Sequence, residues 1–278
     1  MTESVEEKYR YSDLTWPEMN QAIAMQKVIL LPVGTTEQHG PHLPLDTDCF
    51  LVESLCLEAG RRNPKDILVM PTIPYGYNLH HIDFPGTIHI PYDHFIEYCL
   101  DVVKSVAYHG FKKIIIVDGH GSNEHLLEFV ARRAILETDS LCASFLWVNL
   151  VKEKFQEIRE SSFPGGAAHA CELETSTYLH LAPSKVQMDK AVNEIGVPKS
   201  KFHWVDLISS GPVSIVEWTS SLTKSGVTGE ALKATPEKGK TIFEEAVKKL
   251  LELVAEFKAR PIQPRIEHHQ NPTGKVEL

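Results

Sequence analysis

A chain of 278 residues, 42% of them apolar, can bury the core of one large α/β domain. Its 28 basic and 37 acidic residues leave a net charge of −9, which argues against nucleic acid or an anionic membrane as the main partner. No apolar stretch reaches the roughly 18 residues of a membrane span, and the acidic start Met1-Thr2-Glu3-Ser4-Val5-Glu6 lacks the apolar core of a signal peptide, so a cytoplasmic protein is expected.

Apolar runs alternate with helical patterns along the chain. Residues 28–33 (Val-Ile-Leu-Leu-Pro-Val) read as a buried strand, and residues 49–62 as a helix with Leu51, Val52 and Leu55 near one face. Residues 67–70 form a second strand closed by Pro71. Residues 94–109 form an amphipathic helix that Gly110 ends. The β-branched run 114–117 is the clearest strand. A helix over 123–138, a strand over 142–148 and a helix over 240–259 follow, the last with a start signal at Thr235-Pro236. Residues 206–229 read as loops with room for a short hairpin, and residues 261–278 as an extended or mobile tail. Strand–helix–strand repetition with short connections predicts a mostly parallel sheet covered by helices, in one domain over residues 1–260. The five cysteines form no CxxC pair and read as small buried hydrophobes.

Three segments carry chemistry. Glu37, His39 and Asp48 follow the first strand, Asp118-Gly119-His120-Gly121-Ser122 follows the strand 114–117, and His169 stands before Glu172 and Glu174 after a Gly-rich turn. In an open parallel sheet the carboxyl ends of separate strands converge on one crevice. Carboxylate and imidazole ligands suit Zn²⁺ or Mn²⁺ and admit Fe²⁺ or Co²⁺. Residues two apart in an extended segment point the same way, so Glu37 and His39 can face one crevice. Glu172 and Glu174 share that parity if extended; if helical, they point to different faces and one alone can be a ligand. Asp46 competes with Asp48 or orients a ligand from behind. His42 beside Pro41 reads as structural, and the tail pair His268-His269 carries no chemistry.

The motifs Glu37-Gln38-His39-Gly40, Asp46-Thr47-Asp48, Phe84-Pro85-Gly86-Thr87, Gly119-His120-Gly121, His169-Ala170 with Glu174-Thr175-Ser176, and Gly226-Val227-Thr228-Gly229 with Ala234 to Gly239 resemble those of the creatininase (creatinine amidohydrolase) family. The resemblance spans nearly the whole chain. It implies a three-layer α/β/α fold, a homohexamer and a two-metal centre of Zn²⁺ and/or Mn²⁺. By position, Glu37 and His120 resemble ligands of one metal, His39 a ligand of the other, and Asp48 the carboxylate between them. In creatininase the second motif's histidine is followed by Tyr and a metal-binding Glu. Gly121 and Ser122 stand there in this chain, so Glu174, with Glu172 in reserve, is expected to complete the second metal. The family's Gly-x-Ser-x-Glu-His reads Gly76-Tyr77-Asn78-Leu79-His80-His81 here, and its substrate-contacting Trp falls in the stretch Pro164 to Ala168. The metal centre is thus expected to be kept and the pocket altered, with Asn78, His80 and Ser122 facing substrate.

The resemblance implies attack on a carbonyl by metal-activated hydroxide, with His169 as general acid/base. A metal-dependent hydrolase of a small cyclic amide is the leading expectation. Ring-opening C–C hydrolysis of an oxidised inositol, or deformylation, is the alternative, and a non-catalytic binding protein the third reading.

Overall fold

The computed structural model describes residues 4–198 and 200–270. In chain order the larger elements are α1 (Trp16–Ala24), β1 (Val28–Val33), α2 (Thr47–Arg62), β2 (Ile67–Val69), α3 (Tyr92–Tyr108), β3 (Lys113–Asp118), α4 (Glu124–Glu137), β4 (Leu141–Leu146), α5 (Lys152–Ile158), β5 (Ala167–His169), α6 (Glu172–Leu181), β6 (Asn193–Glu194), β7 (Val205–Asp206), β8 (Ser209–Ser210), α7 (Thr219–Leu222), β9 (Thr228–Glu230) and α8 (Pro236–Ala259).

A parallel sheet in the order β2-β1-β3-β4 forms the middle layer. Its strands are apolar on both faces because both faces are covered. Ile29, Leu31, Ile114 and Ile116 pack toward α1, α3 and α4, while Leu30, Ile115 and Val117 pack toward α2, α5, α6 and α8. The result is the expected three-layer α/β/α fold. Val33 and Asp118 are register partners at the carboxyl ends of β1 and β3, so the segments that leave these two strands start side by side. A small antiparallel sheet, β5-β9-β6, lies outside the main one.

Several boundaries move. The strand expected over 142–148 ends at Leu146, because Trp147–Leu150 turns as a 3₁₀ helix that buries Trp147 in the core. The strand expected over 67–70 ends at Val69. The last helix starts at Pro236, where the Thr235 hydroxyl accepts the Lys238 N–H at 3.2 Å. The region 206–229 holds the β7–β8 hairpin and α7 among loops, but its end supplies β9, which pairs with β5 and fixes where His169 stands. Residues 261–270 are exposed and without regular structure; residues 271–278 of the expected tail lie outside the described residues. No helix among the described residues is long and apolar enough to cross a membrane.

Helices α6 and α8 approach closely where α8 carries Gly239: a Cβ there would stand 1.8 Å from the Ser176 carbonyl oxygen. In an exposed helix, Gly→Ala stabilises by about 1 kcal/mol. Here the methyl has no room, and overpacking costs about 1–3 kcal/mol. Gly239→Ala is therefore expected to lower the urea midpoint; a raised midpoint would contradict this packing.

Candidate metal centre

Four segments deliver the polar side chains. The chain leaving β1 carries Glu37 and His39, both buried. Asp48 lies in the first turn of α2, where unpaired N–H groups and the helix dipole favour a carboxylate. That turn reaches the end of β3 because residue 119 is glycine: a Cβ there would come within 2.5 Å of the Asp48 carbonyl oxygen. His120 follows at once, its backbone N–H held by Asp118 Oδ1 at 3.0 Å. β5 ends in His169, and Glu174 lies in the first turn of α6.

These groups meet in two clusters. In one, His120 Nδ1 lies 3.0 Å from Glu37 Oε2 and 3.2 Å from Asp48 Oδ2. In the other, His39 Nε2 lies 3.1 Å from Asp48 Oδ1 and 3.8 Å from Glu174 Oε1, with His169 beside it. Asp48 offers one oxygen to each. Glu174 is oriented by its other oxygen, which accepts the Cys171 backbone N–H at 3.2 Å and leaves Oε1 free. Both oxygens of Glu37, Oδ2 of Asp48 and Nε2 of His39 are buried without a hydrogen-bond partner. Such orphans are costly in a dry site. A cation answers them: donors about 2.1 Å from one ion stand about 3.0–3.4 Å from each other, close to most of the spacings found. The residues present therefore fit divalent metal.

The electrostatics agree. Burial opposes the charge of Glu37, but the imidazoles of His81, His120 and His169 outweigh it and hold the carboxyl well below the usual range. Burial likewise opposes charge on His39 and His120. Asp48 and Glu174 around the first, and Glu37 and Asp48 around the second, outweigh it and lift both well above the ordinary imidazole value. Without metal, protons on these two rings stand in for the cations. His169 goes the other way, lowered by burial and by His39.

Other expected residues separate. α6 is helical from Glu172, so its two glutamates diverge. Glu172 Oε1 accepts from Lys238 at 2.5 Å and Oε2 accepts from the Ser161 N–H at 2.8 Å, which places Glu172 in the structural frame rather than the cluster. Asp46 turns aside and accepts from the Tyr178 hydroxyl at 2.8 Å. His42 is buried against the Thr175 hydroxyl at 2.9 Å and is pushed down to about 4 by that burial. Asn78 is fully enclosed, its amide donating to the Thr35 hydroxyl at 3.2 Å, so the structure does not set it at an open wall. His80 and Ser122 are partly exposed and paired, with Nε2 and Oγ 3.1 Å apart, and the His80 ring stacks 6.3 Å from that of His120. Two residues escaped the sequence reading. His81 puts Nε2 3.0 Å from Glu37 Oε1, and the Gln38 side chain bridges the rings of His81 and His169. Imidazole next to the altered His80, and the polar residue between two candidate ligands, were the available signals.

The strand ends of this α/β/α sheet thus gather buried carboxylates and imidazoles around unsatisfied atoms, a donor set that suits a metal-binding protein. The chain belongs to the creatininase family: the family model described as creatinine amidohydrolase matches residues 12–254. Among curated relatives, the 3-dehydro-scyllo-inosose hydrolase of Thermotoga maritima is 28% identical, the match covering 96% of this chain and 90% of that protein. The mycofactocin precursor peptide peptidase of Mycolicibacterium smegmatis is 32% identical over 82% of this chain and 84% of its own. A solved manganese creatininase superposes with a TM-score of 0.78 at 25% identity, covering 92% of this chain and 99% of that one.

The two glutamates of α6 should respond differently to change. Glu174→Gln is expected to cut zinc affinity, measured by chelator competition, by more than the about 10–100-fold typical of outer-shell partners. Glu172→Gln is expected to leave affinity within about twofold and to lower thermal stability through Lys238. The reverse pattern would reassign the ligand. Because the neighbouring carboxylates shift His39 and His120 upward and so favour their protonated forms, metal binding is expected to displace protons. Apparent affinity should therefore rise with pH across the neutral range, with binding heats that depend on the buffer's ionisation enthalpy. Buffer-independent heats would contradict the protonated metal-free state.

Proposed function

We propose that the protein is a metal-dependent hydrolase that adds water across the carbonyl of a small, polar, cyclic substrate. The observation that carries this is the set of buried, unpartnered oxygens and nitrogens on Glu37, His39 and Asp48, facing His120 and Glu174. In this reading Glu37, His120 and Asp48 hold one divalent ion, and His39, Glu174 and Asp48 hold a second, Zn²⁺ and/or Mn²⁺ by the donor set. Such ions supply Lewis-acid polarisation and acidify water to near neutral pH.

The chain's own residues do the rest. Asp48 shares its two oxygens and so sets the distance between the clusters. His169, 3.5 Å from Glu37 Oε1 and against the His39 ring, is placed to take a proton and return it to the leaving nitrogen or carbon. His80 and Ser122, partly exposed beside His120, form a polar wall that can hydrogen-bond a ring substituent. Burial of the remaining ligands keeps bulk water from competing.

A C–N bond in a small cyclic amide is the first reading, supported by the family's description as creatinine amidohydrolase. The second is ring opening at a C–C bond of a hydroxylated cyclic ketone. It draws on the His80–Ser122 pair and on the likeness to the inosose hydrolase along nearly the whole chain.

A panel of creatinine, lactams, formamides and inososes, run with and without chelator on wild type and Asp48→Ala, tests the proposal. Chelator-sensitive turnover by wild type is expected. Loss of the shared carboxylate should cost more than about a hundredfold in kcat/KM and at least half the bound metal. Full metal content with an unchanged rate in Asp48→Ala would refute the centre. A metal-replete wild type inert on the whole panel would favour a binding protein.

A further inference from the structure

Besides the two clusters that share Asp48, a third group of potential ligands stands in the same region: Glu37 Oε1, His81 Nε2 and His169 Nδ1. Read by residue type alone, it is a third cation site. The side chain between these rings, Gln38, argues otherwise.

The orientation of the Gln38 amide is set by backbone groups whose polarity is not in question. Its Oε1 accepts the Gly40 N–H at 2.9 Å, and its Nε2 donates to the Gly226 carbonyl at 3.1 Å. Exchanging oxygen and nitrogen would set donor against donor at Gly40 and acceptor against acceptor at Gly226. The chain makes room for this amide: Gly226 has φ +84°, and a Cβ there would stand 2.0 Å from Gln38 Oε1. The Gln38 backbone N–H is held as well, by the Thr87 hydroxyl at 3.2 Å.

With the amide oriented, its second hydrogen faces His81 Nδ1 at 3.0 Å, so that nitrogen must be an acceptor. A neutral His81 then carries its proton on Nε2, 3.0 Å from Glu37 Oε1. With Nδ1 occupied by the amide N–H, that proton cannot move to the other ring nitrogen, so His81 Nε2 offers a metal no lone pair. His169 Nε2 lies 3.0 Å from the same amide nitrogen, but both amide hydrogens are already used. Its alternative is the Gln38 backbone carbonyl at 2.9 Å, which requires His169 to carry its proton on Nε2. The bare nitrogen of His169 is therefore Nδ1, which faces Glu37 and the His39–Glu174 cluster.

We propose that Gln38 is a positioning residue that sets both tautomers, keeping the His81 proton on the nitrogen that faces Glu37, so that His81 is not a third-site ligand, and aiming the lone pair of His169 into the centre. This deepens the reading of His169 as the proton carrier and rests on it for its functional meaning. The assignment of the two tautomers stands on hydrogen-bond geometry alone.

Long-range ¹H–¹⁵N correlation spectra of the full-length protein with labelled histidine test it, recorded after chelation and again with Zn²⁺ added. His81→Phe and His169→Phe assign the rings. Both rings are expected to be protonated at Nε2 in wild type, with and without Zn²⁺. In Gln38→Glu an oxygen replaces the donor, and His81 is expected to change to the Nδ1–H form, a change that loss of packing alone would not produce. A wild-type His81 protonated at Nδ1 or coordinated by zinc would overturn the proposal, as would a folded Gln38→Glu whose His81 keeps its tautomer. If that variant does not fold, the wild-type spectra decide. Turnover is scored separately: the expected tautomers in an enzyme inert on every substrate would remove the hydrolase reading and leave the role of Gln38 intact.

Discussion

Burial of three carboxylates within a few ångströms of each other is the constraint on which the rest depends. Glu37, Asp48 and Glu174 face His39 and His120 in a region closed to solvent, and several of their polar atoms have no hydrogen-bond partner. Like charges so close are tolerated when something positive stands between them. The upward shift of His39 and His120 favours protons in that role, and in the proposed centre divalent ions would take it. The surrounding groups serve the same end: Cys171 fixes one oxygen of Glu174, Asp118 fixes the backbone of His120, and Gln38 bridges the rings of His81 and His169.

The fold explains why candidate ligands so far apart in sequence can meet. β1 and β3 are neighbours in parallel register and end together, so Glu37, His39 and His120 emerge on one side. α2 begins over that edge and contributes Asp48 from its first turn. β5 and α6 belong to no part of the main sheet. They are brought over it by pairing with β9 and by the close packing of α6 on α8 at Gly239. Changes that loosen α8 therefore reach Glu174 through Ser176 without touching any ligand.

Strands buried on both faces were legible because a run such as Ile114-Ile115-Ile116-Val117 has few other uses, and α3 and α8 were legible because one side is apolar. α6 was not: residues 172–178 are all buried, its polar groups being absorbed by Lys238, His42 and the centre, so no contrast of faces marks it as a helix. That helix turns Glu174 toward His39 and Glu172 toward Lys238, the separation that a helical reading of this segment required. α1 did carry a readable signal, the capping box of Thr15 with Glu18 around Pro17. β5 and β9 are too short and too rich in glycine and alanine to announce themselves. Asn78 was expected to meet substrate because of its place in a motif; its burial follows from tertiary packing against Thr35 that no local pattern encodes. His81 and Gln38 were hidden because their partners are up to 188 residues away, on Gly226 for Gln38.

In the proposed centre Asp48 stands between two cations. Anomalous diffraction from crystals grown with Mn²⁺ tests it most directly. Two peaks about 3.5–4 Å apart are predicted, one against Glu37 and His120, the other against His39 and Glu174, with an Asp48 oxygen reaching each. A single peak, or a peak bound by His81 Nε2, would contradict the account.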